Sequence, residues 1–153
     1  MNKCLEQYHR MYRWHERFKS INEKREHSKD TAYYEDEIYA FFINCYHLKD
    51  WIINDPELKI SAKQVEDFIN DSEPLSVCHD ICNGLKHLEL KNPKIDKNIQ
   101  FGSKRFQLYI QVPSPIIKID FEIRAGDKTY DSFTLATKCI GEWEKFFHIH
   151  KLL

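Results

Sequence analysis

His79, Asn83, Lys86 and His87 recur at three- and four-residue steps in the stretch Ser72–Leu90, S-E-P-L-S-V-C-H-D-I-C-N-G-L-K-H-L-E-L. Side chains spaced in this way project from one side of an α-helix. They bring an amide, an ammonium group and imidazoles to one stripe, with Asp80 at its margin. An amide can hold a ligand oxygen, a lysine can offset phosphate charge and an imidazole can carry a proton near neutral pH. That set suits metal-independent RNA cleavage, in which the 2′-hydroxyl is the nucleophile and the protein supplies proton transfer and charge stabilisation. The same residues also fit a solvated polar face. Gly84 stands among them at a cost of about 1 kcal/mol relative to Ala, which suits close approach of a ligand or of another backbone.

A second polar pair, His47 and Asp50, lies three residues apart on the preceding long helix. Asp50 could orient an imidazole there, in support of Asn83, Lys86 and His87. The alternative is a buried polar pair that ties two helices together.

Metal and thiol chemistry are weaker fits. Cys78 and Cys82 are one helical turn apart, with His79 and His87 near them and Cys45 elsewhere. Structural zinc sites usually combine two such pairs, and no second pair appears in the spacing. His148-Ile-His150 could catch a metal only adventitiously. Cys82 with His79 makes a poor nucleophile pair, and no phosphate-cradling glycine loop or nucleophile elbow is present. The expectation is no metal and no cofactor. The five cysteines fall mostly at core positions, where a free thiol behaves as a small hydrophobe, so a reducing cytoplasm without disulfides is expected.

The elements that must position these groups follow from periodicity. Residues 2 to about 19 form an amphipathic helix through Cys4, Tyr8, Met11, His15 and Phe18. A charged segment follows, and then the most apolar helix, 31–53. Its stripes are Tyr34, Ile38, Phe41, Cys45, Leu48, Ile52 and Tyr39, Phe42, Tyr46, Ile53, which makes it central. Asn44, His47, Asp50 and Trp51 occupy the remaining strip. Asp55-Pro56 ends this helix. Ser61-Ala-Lys-Gln64 is a capping box for a short helix, and Ser72 can cap the next. Residues 91–103 read as an exposed loop. After Gly102 the period becomes two, with Phe106, Leu108, Ile110 and Val112, then Ile117, Ile119, Phe121 and Ile123. A third short strand spans about 128–133, and 134–153 is helical.

The predicted class is α+β: a helical bundle over 1–90, a three-stranded antiparallel meander over 104–133 and a C-terminal helix over 134–153, all in one domain. At 153 residues and a net charge of −1, bulk electrostatics favours neither nucleic acid nor membrane. The first thirty residues are nevertheless locally basic. No apolar run reaches membrane-span length, and the start has no signal-peptide order.

F-F-I-N-C-Y-H-L-K-D-W at 41–51 and D-I-C-N-G-L-K-H at 80–87 resemble small bacterial proteins that carry Y-H-L-x-D-W and N-G-x-K-H. Over about residues 1–90 the chain resembles the HEPN superfamily (higher eukaryotes and prokaryotes nucleotide-binding), a four- or five-helix up-and-down bundle. Many of its members are metal-independent RNases of toxin–antitoxin, abortive-infection and CRISPR systems. Their hallmark is an arginine, often followed by Asn, Asp or His, then three residues and a histidine, with two copies meeting across a dimer. The resemblance implies that Asn83 matches the polar residue and His87 the histidine. Cys82 stands at the arginine's position, and a thiol cannot stabilise phosphorane charge as a guanidinium does. Two expectations follow from the resemblance. One is a dimeric protein that cleaves or binds RNA or a nucleotide through His87, Lys86 and Asn83. The other is a non-catalytic, antitoxin-like or structural module with a protein partner and a buried polar cluster.

Overall fold

A computed structural model describes residues 2–86, 92–95, 99–109 and 116–153, with the backbone alone for 85–86, 100–101 and 103–109. The chain is α+β. Helices α1 (Cys4–Asn22), α2 (Thr31–Ile53), α3 (Ala62–Asn70) and α4 (Glu73–Lys86) come first. Strands β1 (Gln100–Tyr109), β2 (Ile116–Ala125) and β3 (Lys128–Asp131) follow, and α5 (Ser132–Ile149) closes the chain.

Helix α2 is the hub, in contact with all four other helices. Its Tyr34, Ile38, Phe41, Phe42, Cys45, Leu48 and Ile52 are all buried, which requires neighbours on two sides. Asp30 caps its start by accepting from the Tyr33 amide at 2.9 Å. Helix α1 covers part of the polar strip of α2: the Gln7 side-chain amide donates to the Asn44 carbonyl at 2.7 Å, and the Arg10 guanidinium lies 5.4 Å from the Trp51 ring centre. The start of α1 has no side-chain cap of its own. Asp55, just past α2, supplies one from a distance, accepting from the Cys4 amide at 2.9 Å and the Glu57 amide at 3.1 Å.

The capping box of α3 forms as the sequence predicts, with Ser61 and Gln64 satisfying each other's amides. Phe68 on α3 meets Phe146 of α5 edge-on at 5.0 Å. Ser72 holds the first turn of α4 through its carbonyl, 2.9 Å from the Ser76 amide.

The strands are antiparallel in the order β1-β2-β3, with Phe106 opposite Ile119 and Leu108 opposite Ile117. Gly126, at φ 60°, makes the tight β2–β3 turn, a backbone conformation that L side chains resist. Ile119, Phe121, Ile123 and Ala125 alternate inward from β2 toward α1 and α5. Asp131 then caps α5 by accepting from the Thr134 amide at 2.8 Å. β1 begins at Gln100, several residues earlier than the alternation alone suggests, because it crosses an irregularity between Phe101 and Lys104 that interrupts the period. The inner edge of β2 is also bridged by the segment after α1: Arg25 and Ile117 exchange backbone hydrogen bonds of 3.3 and 2.8 Å. Among the described residues, no helix is long and apolar enough to cross a membrane.

Candidate functional site

Asp80 is the fixed point of the α4 polar face. It sits on the flank of the helix with 0% of its surface exposed, and a buried carboxylate needs donors. It has three. One oxygen accepts from His79 Nδ1 at 2.7 Å and from the Lys94 amide at 2.7 Å, and the other accepts from the Ile95 amide at 2.6 Å. The carboxylate thereby clamps the 92–95 segment onto α4.

The same contact fixes the imidazole. With Nδ1–H given to Asp80, Nε2 of a neutral His79 is an acceptor. The Asn83 side-chain amide lies 2.9 Å from Nε2 and donates to it. The His79 side chain is only 12% exposed, and the Tyr46 ring meets it edge-on at 5.4 Å. Around this core runs a rim in which two lysines share one glutamate. Lys49 pairs with Glu66 at 2.6 Å and donates to the Tyr46 hydroxyl at 3.1 Å, while Lys94 lies 3.7 Å from the other Glu66 oxygen. Burial works against both charges, yet the pairing outweighs it. The Lys49 pKa is held above the usual lysine range and that of Glu66 below the usual carboxylate range.

The predicted site residues divide among three places. Asn83 is half-buried and engaged with His79. His87 and the Lys86 side chain lie outside the described residues. His47 and Asp50 are exposed on α2. Phe42, Cys45 and Tyr46 are among the α2 residues that meet α4, and His47 lies one residue further round the helix.

The Asp80–His79 pair was not singled out by spacing, since adjacent residues on a helix do not face each other. The two meet because both reach toward the flank that the 92–95 segment covers. The legible signal was a His-Asp step followed by Asn four residues after the histidine.

Cys82, one turn after Cys78 on α4, is 8% exposed. Its thiol donates to the Phe42 carbonyl at 3.1 Å, and the Cys78 thiol donates to the same oxygen at 3.4 Å. Cys82 therefore points into the α2–α4 interface.

A different set of side chains could hold a metal. All five cysteines are free and buried. Three of them, Cys45 from α2, Cys78 from α4 and Cys139 from α5, place their sulfurs within 4.8 Å of one another. Burial pushes the Cys78 and Cys139 thiols well up. It acts on Cys45 in the same sense, but the neighbouring thiols of Cys139 and Cys78 and the Trp143 indole reverse the outcome and draw Cys45 down. The Trp143 N–H is buried and makes no hydrogen bond among the described residues.

Comparison of the chain with protein-family models, with curated proteins and with solved structures gives no match.

Proposed function

We propose that the chain is a non-catalytic, HEPN-like interaction module, a helical bundle extended by a three-stranded meander and a C-terminal helix. In this reading the polar motif of α4 holds structure and does not cut RNA. One observation carries it: the slot that a HEPN nuclease fills with arginine is taken by Cys82, turned into the α2–α4 interface onto the Phe42 carbonyl. A guanidinium there would face hydrocarbon and not a phosphate. The neighbouring groups support the same reading, since Asp80 is enclosed and His79 and Asn83 use their polar atoms on each other. The partner in this reading is another protein chain, either an antitoxin-like partner or a second copy.

A second reading is favoured by the carboxylate-oriented imidazole. An Asp80–His79 dyad is an arrangement suited to general acid–base work. An RNA hydroxyl that displaced the Asn83 amide would meet Nε2 directly, with Asn83, Lys86 and His87 left to hold phosphate oxygens. His47 and Asp50 would have at most a peripheral part.

A ribonuclease assay on single- and double-stranded RNA, in chelator, separates the two. It compares wild type with His79→Ala, Asn83→Ala, Lys86→Ala and His87→Ala. The module reading expects no cleavage above buffer from any of them. Cleavage by wild type that falls at least tenfold in His79→Ala or His87→Ala replaces it with the nuclease reading.

A further inference from the structure

We propose that Cys45, Cys78 and Cys139 form a binding site for a thiophilic d10 metal ion of the class to which zinc and cadmium belong. The sequence alone argues against zinc because Cys78 and Cys82 have no partner pair in the spacing. The fold supplies further ligands from elsewhere, since α2 and α5 each deliver one cysteine to Cys78 of α4. Zinc–sulfur bonds of about 2.3 Å hold ligand sulfurs roughly 4 Å apart. A trio already within 4.8 Å closes on an ion through small side-chain shifts. Cys82, one turn along α4, stands outside the trio, with its thiol on the Phe42 carbonyl.

The Trp143 indole is an independent pointer. Its N–H is buried and has no hydrogen-bond acceptor among the described residues, and the Cys45 sulfur is its neighbour. A neutral thiol is a weak acceptor, whereas a thiolate is a strong one. Metal binding would convert Cys45 into the acceptor this donor lacks. It would also place a donor against the negative charge that three thiolates and one divalent ion leave over. The site has no surface opening, as all three cysteines are fully enclosed. The ion therefore enters while the bundle assembles, and each ligating thiol gives its proton to solvent.

The test refolds the full chain anaerobically with Cd(II) or Zn(II) and removes free metal by gel filtration. The proposal expects stoichiometric retention, an ultraviolet cadmium–thiolate charge-transfer band and a cadmium NMR resonance typical of sulfur ligands. It also expects a rise in melting temperature that chelator reverses. Cys45→Ala and Cys139→Ala should lose retention. Cys4→Ala, which removes a buried thiol outside the cluster, and the His148→Ala/His150→Ala double variant should keep it. The wild-type charge-transfer band and NMR shift decide the matter even where an alanine variant does not fold. Retention abolished by the histidine double variant, metal bound without a thiolate band, or no retained metal overturns the proposal.

Discussion

Replacing Asp80 by Ala should be among the most damaging single changes in this chain. The substitution strips the acceptor from the Lys94 amide, the Ile95 amide and His79 Nδ1, all within 2.7 Å of the carboxylate. Each buried donor left unpaired costs about 1–3 kcal/mol. The costs do not add fully, because the 92–95 segment can lift toward water and recover part of its hydrogen bonding. A net loss of about 3–5 kcal/mol is the expected result for breaking a buried charged network. For a chain of this size that corresponds to a fall in melting temperature of roughly 10–15 °C. Asp80→Asn keeps the shape and one acceptor oxygen, so it should lose only about 1–2 kcal/mol. Urea unfolding followed by tryptophan fluorescence and far-ultraviolet circular dichroism measures both variants. An Asp80→Ala protein within about 1 kcal/mol of wild type, with an unchanged denaturant slope, would refute the clamp.

Asp55→Ala should cost about 1–2 kcal/mol at neutral pH, because it removes the remote cap at the positive end of α1. Burial alone would raise this carboxyl's pKa, but the Cys4, Glu57 and Lys3 amides and the Lys3 charge hold it below the usual range. Its stabilisation is therefore complete above the unfolded carboxyl value near 4 and is lost as pH falls through the lower folded value. The stability gap between wild type and variant must narrow over that acidic window, and a gap that stays constant contradicts the assignment. Cys82→Arg, which puts the arginine of a HEPN nuclease motif at the position the proposed reading assigns to it, should lose about 3–5 kcal/mol by burying a guanidinium in the α2–α4 interface. It should also gain no ribonuclease activity, and a stable, RNA-cleaving Cys82→Arg protein would reverse the proposed function.

Where a feature is local, the sequence is a good guide to it. The Ser61–Gln64 capping box, the limits of α2 and the inward alternation of Ile119, Phe121 and Ile123 each depend on residues only a few positions apart. The features that matter most for chemistry are not local. Periodicity puts Cys45, Cys78 and Cys139 each on an inward stripe, but it does not say that three stripes meet at one height. It likewise gives no hint that an amide pair fourteen and fifteen residues downstream fixes Asp80, and through it His79. Asn44 and Trp51 look like part of an open polar strip until α1 is laid over them, while His47 and Asp50 on that strip stay exposed. Cys82 is the instructive case. Its place on the inward stripe of α4 is readable from spacing, but only the packing reveals that its thiol meets the Phe42 carbonyl.

The short exchange between Arg25 and Ile117 carries a consequence for the chain's social behaviour. Ile117 turns its N–H and C=O away from β1, toward the margin that β3 reaches only at Glu122–Ala125, and Arg25 occupies that margin. Loss of that bridge would bare the Ile117 N–H and C=O beside an apolar face, an opening for strand addition by another chain. The N-terminal arm thus doubles as a guard against self-association. Proteolytic nicking in that arm should be followed by oligomerisation sooner than by simple unfolding.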